Sequence, residues 1–206
     1  MNPAQPLRIL GIDPGTRHVG YCVLEQRGFE LRRLASGCIK AGDGDIAGRL
    51  AAIHRGLTAV IAKHSPSAAA VETVFTSRNP KSAIAIGEGR GVAVLSAAQY
   101  GLEVKGYEPT LVKKAVAGNG RAGKEQVRRM VRVLLRLDAA PATDHESDAI
   151  AIAITHAMHC RQARPTDSGR KTLLDGLRKK SLPDFVLRQL PAGATPANRA
   201  ARSGRR

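Results

Sequence analysis

Four side chains able to hold a hard cation or move a proton stand where apolar runs begin or end. Asp13 closes the run Leu7-Arg8-Ile9-Leu10-Gly11-Ile12, and Glu72 interrupts Ala68-Ala69-Ala70-Val71. His145 and Asp148 open a stretch that continues Ala149-Ile150-Ala151-Ile152-Ala153-Ile154. Hard divalent cations take oxygen-rich ligand sets gathered from distant segments. The remainder of the chain is strongly basic, so an acidic pocket in a basic surround points to metal-dependent chemistry on a polyanion.

Each residue also has a plainer reading. Asp13-Pro14-Gly15 is a good turn, because Asp opens turns, Pro fixes φ and Gly permits positive φ. A carboxylate in a largely apolar strand costs several kcal/mol unless it is paired or metal-bound, by an order-of-magnitude estimate; the plain reading of Glu72 is an outward-facing position on a half-exposed strand. Thr143 with Glu146 three residues later is a capping box, which assigns Glu146 to a helix-end amide. Asp144 suits the positive end of the helix dipole. His145 and Asp148 lie three apart on one helix face and can meet at one ion; the plain reading of His145 is an exposed helix-start residue.

These residues need elements to position them. Residues 7–13, 19–25 and 31–40 read as strands, the last two joined near Gly28. Residues 45–63 carry Ile46, Leu50, Ile53, Leu57 and Val60 at helical spacing, and Ser65-Pro66-Ser67 ends that helix. A strand over 68–74, a Pro80-started helix to about Tyr100 and a strand over 102–107 follow. Helices are expected over 110–117, 123–137 and 144–160. Three strands followed by alternating helix and strand predict an α/β architecture with a five-stranded mixed sheet.

Lys and Arg number 33 against 17 acids, a net charge of +16, which favours nucleic acid first and an anionic surface second. No apolar run approaches the ~20 residues of a spanning helix, and residues 1–6 lack the parts of a signal peptide. Cys22, Cys38 and Cys160 are too scattered for a zinc pair and odd in number for a disulfide framework, so a reduced cytoplasmic setting is expected. With 3 Phe, 3 Tyr and no Trp, broad stacking platforms for single strands are not expected. Residues 161–206 hold 12 Lys or Arg against 3 acids. They read as a basic C-terminal extension beyond a domain at 1–160, with a short helix or two within 173–190 and a disordered end.

A family resemblance gathers these features. Ile9-Leu10-Gly11-Ile12-Asp13-Pro14-Gly15-Thr16 with Gly20, Val71-Glu72-Thr73-Val74-Phe75, and His145 through His156 resemble the RuvC Holliday-junction resolvases. Gly87-Glu88-Gly89-Arg90-Gly91-Val92 and Gly118 through Val127 resemble two further blocks of that family. The match is collinear over about residues 7–160. It implies a ribonuclease H-like fold with helices on both faces of the sheet, a homodimer, and two Mg2+ per active site, with Mn2+ as a substitute. It also implies cooperation with the RuvA–RuvB branch-migration motor and a bacterial, nucleoid-associated setting. By resemblance Asp13, Glu72 and Asp148 map onto the metal-binding carboxylates, and His145 onto the fourth catalytic and metal-binding position, where some members carry Asp. The implied reaction is paired symmetric nicking of two opposed strands of a four-way DNA junction, in recombination and repair.

DNA would be held by the basic run over 105–136, which has nine Lys or Arg and two acids. Such a one-sided balance favours phosphate binding over a merely solvated face. Lys113, Lys114, Arg121 and Lys124, around Gly118-Asn119-Gly120, are the candidates there. Phe75, three residues past Glu72, would wedge or stack at the crossover or else fill the core; Arg78 and Lys81 would face phosphate. The helix from Pro80, apolar or small on more than one face, suits burial against a second copy. Three rivals remain. An actin-like ATPase or sugar kinase also opens on Gly-Ile-Asp-x-Gly-Thr but needs a second phosphate loop. A non-catalytic junction binder would be favoured by loss of a carboxylate, and none is lost. A nuclease of the same fold acting on RNA is the third.

Overall fold

Alternation along the strands divides the core into two faces. In β1 (Leu7–Asp13) Ile9 packs with one hydrophobic cluster, while Leu10 and Ile12 pack with another. In β2 (His18–Arg27) Cys22 and Leu24 join the cluster of Ile9, and Val19 and Val23 join the opposite one. The period of two in side-chain direction therefore carries Asp13, His18, Gly20 and Ala70 to one face. The computed structural model describes residues 6–73 and 80–162.

β3 (Glu30–Lys40) and β2 form a hairpin through Gly28, whose φ of 59° is one that Gly adopts without strain. After α1 (Ile46–His64) come β4 (Ala68–Glu72), α2 (Pro80–Gln99) and β5 (Glu103–Tyr107). Then α3 (Pro109–Ala117), α4 (Lys124–Leu134) and α5 (Asp144–Gln162) complete the described chain. The five strands lie in the order β3-β2-β1-β4-β5, with β1–β2 and β2–β3 antiparallel and β1–β4 and β4–β5 parallel. That is the expected mixed sheet.

One face is covered by α1 and α2, through Ile53, Leu57, Ile61, Ala93 and Ala97. On the other lie α3, α4 and α5, through Val112, Val116, Val127, Val131 and the run Ala149–Ile154. α5 is buried along most of its length, which explains the unbroken Ala/Ile pattern. Its seat on β1 is close: a Cβ on Gly11 would lie 2.3 Å from the Ala149 carbonyl oxygen.

Local signals act as expected at several ends. Asp45 caps α1 by accepting from the Gly48 amide at 2.7 Å, and Ser65 ends it in the left-handed conformation. α4 stops at Leu134, three residues before the expected end. There Arg136 turns to a φ of 50° and the Leu137 amide returns to the Arg132 carbonyl, a termination that Gly would signal and Arg does not. β4 ends at Glu72, and Val74, expected within it, lies outside the described residues. The 161–206 extension also lies outside them, apart from the backbone of Arg161 and Gln162 in α5.

Candidate active site

Asp13 and Glu72 leave the sheet side by side. Ile12 pairs with Val71 across the parallel β1–β4 ladder, so the next residue on each strand emerges at the same carboxyl edge, on the α5 face. α5 begins over that edge, because a Cβ on Gly20 would lie 1.8 Å from the His145 carbonyl oxygen and only glycine admits the approach. Its first turns bring His145 and Asp148 to the two strand-end carboxylates.

Asp13 is buried, and its Oδ2 lies 2.7 Å from His145 Nδ1. An ionised carboxylate only accepts, so Nδ1 carries the proton and Nε2 is left to face outward chemistry. This hydrogen bond holds the His145 pKa above the ordinary imidazole value, against burial and with help from the charges of Asp13 and Asp148. Burial raises the Glu72 pKa to about 7, and the negative charges of Asp13 and Asp148 add to it while Lys113 opposes. Asp148 is raised to about 6, first by burial and then by Asp13, with Lys124 opposing. Three carboxyls thus share a partly dehydrated edge and repel one another.

Such a donor set fits a hard dication, which would relieve that repulsion. As placed, however, no three Asp, Glu, His or Cys side chains among the described residues stand close enough to grip one ion. The four meet through charge, with one direct contact, Asp13–His145.

The neighbouring acids have the structural roles expected of them. The Glu146 amide donates to Thr143 Oγ1 at 3.1 Å, while the Glu146 carboxylate accepts from the Ala142 amide at 2.8 Å and from Ser36 Oγ at 2.6 Å. The capping box therefore closes one residue further back than its usual form. Asp144 pairs with Lys124 at 3.4 Å on the surface.

Among the basic candidates, Lys113 from α3 and Lys124 from the start of α4 act electrostatically on the acidic edge. Lys114 and Arg121 are exposed nearby. Phe75 and Arg78 lie outside the described residues, and Lys81 is placed only through its backbone in the first turn of α2. Two arginines of the basic run have other work: Arg128 donates to the Pro141 carbonyl, and Arg132 to those of Leu137 and Asp138. They pin the loop leading into α5.

Two residues at the site went unread in the sequence. His18, the first residue of β2, stacks on His145 with ring centroids 5.7 Å apart and planes 15° from parallel. Arg90 of α2 donates from Nε to the Glu72 carbonyl at 3.3 Å. Its block of glycines was the available signal, since Gly89 packs against the Gly15 carbonyl with no room for a Cβ. Nothing local marked His18.

Comparison with known proteins places the chain in a family. The family model described as Crossover junction endodeoxyribonuclease RuvC matches residues 9–156. A protein of that name from Alkalilimnicola ehrlichii is 50% identical over 149 residues, covering 72% of this chain and 90% of the relative. The structure of T. thermophilus RuvC in complex with Holliday junction substrate superposes with a TM-score of 0.72 at 37% identity, covering 76% of this chain and 96% of that one. The yeast mitochondrial Holliday junction resolvase Ydc2, at 12% identity and a TM-score of 0.52, covering 76% of this chain and 84% of its own, shares the fold. The expected ribonuclease H-like architecture is thus the observed one, and the kinase-like rival falls away. The chain belongs to the RuvC crossover junction endodeoxyribonuclease family.

Proposed function

We propose that the protein is a Mg2+-dependent endonuclease that resolves four-way DNA junctions by paired symmetric nicks in two opposed strands, acting in recombination and repair. The observation that carries this reading is the set of three mutually repelling carboxyls, Asp13, Glu72 and Asp148, beside His145 at one edge of a basic domain. Asp13, Glu72, His145 and Asp148 would hold the metal, two ions per subunit as in the family expectation, with Mn2+ able to replace Mg2+. When bound, the metal supplies a water nucleophile at neutral pH and positive charge for the departing oxygen.

The chain's own residues do the rest. Asp13 orients His145 by accepting from its Nδ1. Lys113 and Lys124 border the carboxyls and attract the scissile phosphate into an otherwise repulsive pocket. Lys114 and Arg121 would extend that path along the duplex arms, and Phe75, Arg78 and Lys81 are the further DNA contacts the sequence proposes. Arg90 ties the end of β4 to α2, limiting drift of Glu72.

A homodimer supplies the second cut. α2 leaves Ile84 at 65% and Leu95 at 53% exposure, and added Cβ atoms on Gly87 and Gly91 would meet nothing within 4 Å. This open apolar face supports two-fold pairing through α2. The family expectation adds the RuvA–RuvB motor as partner and the bacterial cytoplasm as setting; no helix among the described residues is long and apolar enough to cross a membrane. Incubation of a synthetic four-way junction with Mg2+, beside linear duplex and an RNA–DNA hybrid, tests the reading. Symmetric nicks on the junction alone, abolished by Asp13→Asn with junction binding retained, are expected. Cutting at a near-normal rate by Asp13→Asn refutes the assignment.

A further inference from the structure

We propose that His18 is a positioning residue whose ring face holds the His145 imidazole in its working plane. The inference rests on the site assignment above. His145 is nearly half exposed in its side chain, and among the described residues its side chain has one hydrogen bond, to Asp13. A single hydrogen bond fixes a distance but leaves the ring free to swing about it. The missing restraint is a surface parallel to the ring, and the His18 ring, stacked at 5.7 Å and 15°, supplies it; offset stacks of this spacing are attractive.

The backbone beneath His18 is tied to its neighbours on the strand and in the turn before it. His18 pairs with Lys40 across β2–β3, and the Ala41 amide donates to the Arg17 carbonyl at 2.9 Å. Arg17 is held to Asp43, and the turn before it is so tight that a Cβ on Gly15 would lie 2.4 Å from the His18 carbonyl oxygen. Two residues along the same face of β2, Gly20 seats the His145 backbone itself. One strand therefore fixes both the main chain of His145 and the plane of its ring. The exposed imidazole of His18 bonds to none of the three carboxyls, so its contribution runs through His145.

The test compares His18→Ala, which removes the face, with His18→Phe, which keeps a flat ring and loses both nitrogens. With stacking as the only loss, His18→Ala lowers kcat for junction cleavage about 3- to 10-fold and leaves metal-free junction binding unchanged. His18→Phe stays within about 2-fold of the parent. In the metal-free protein, the ring-current shift on the His145 carbon-bound protons is lost in His18→Ala and retained in His18→Phe. An unchanged kcat or unchanged His145 resonances in His18→Ala overturns the inference. So does a His18→Phe as slow as His18→Ala, which would mean that a nitrogen is needed, or weakened junction binding in His18→Ala, which would make His18 a DNA contact. Should the parent protein leave the junction intact, the functional assignment falls, and the resonances still decide whether the stack orders His145.

Discussion

Glu72→Gln is expected to stabilise the metal-free protein while removing its cleavage. The Glu72 pKa is raised from the ordinary 4.5 to about 7, chiefly by burial and then by Asp13 and Asp148. A carboxyl with a raised folded-state pKa binds its proton more tightly when folded than when unfolded. Its stabilising contribution is therefore complete below pH 4.5 and is lost as pH rises through 7. At about 1.4 kcal/mol per pH unit the full loss would be roughly 3 kcal/mol, which partial solvent access reduces to about 2. Gln has the same shape and no charge, so it escapes this penalty. Chelator-treated parent and variant should be unfolded by urea or heat at pH 5, 6, 7 and 8. The variant should gain about 2 kcal/mol at pH 8, or some 4–8 °C for a chain of this size, and the gap should close toward pH 5. Mg2+ should narrow the gap at pH 8, because it binds the parent more tightly than the variant. Parallel stability curves across this range, or a variant less stable at pH 8, would refute the account of Glu72 as a carboxyl raised by burial and by its acidic neighbours.

Changes elsewhere read other parts of the same geometry. Neutralising Lys113 and Lys124 together should weaken junction binding and flatten the slope of log K against log salt by about 2, measured by anisotropy from 50 to 200 mM salt. Metal binding should release protons, because Glu72, Asp148 and His145 all carry raised pKa values. Calorimetry in buffers of different ionisation enthalpy should show that release, with metal affinity rising from pH 6 to 8. Leu95→Glu, on the open face of α2, should shift sedimentation from dimer to monomer, and with it replace paired cuts by rare single nicks.

Much of this arrangement was legible in the chain because local physics wrote it there. Leu7 to Asp13 announces a strand that ends on an acid, and Asp45 a helix start, since both depend on immediate neighbours. Glu72 could be read as outward-facing or as part of a site; the register of Ile12 with Val71 decides that it shares an edge with Asp13. The basic run shows its charges and not their targets. Arg128 and Arg132 satisfy carbonyls of the loop before α5, and an arginine's target over several residues of folded chain leaves no trace in its own sequence. His18 was missed for a similar reason: its partner lies far along the chain, and only the crossing of β2 beneath α5 brings the two rings together.

Glycine beneath α5 has a consequence for how this site can change. At Gly11 and Gly20 the helix backbone rests directly on the strands, with no side chain between them to act as a cushion. The helix can neither slide nor roll on such a seat without a collision, so half of the acidic group is indexed to the other half by main-chain contact. Alignment here is a property of the frame, not of the reacting side chains. Variation at His145, Glu72 or their lysine neighbours can alter the chemistry one residue at a time, whereas a single methyl group at Gly20 would move His145 and Asp148 together.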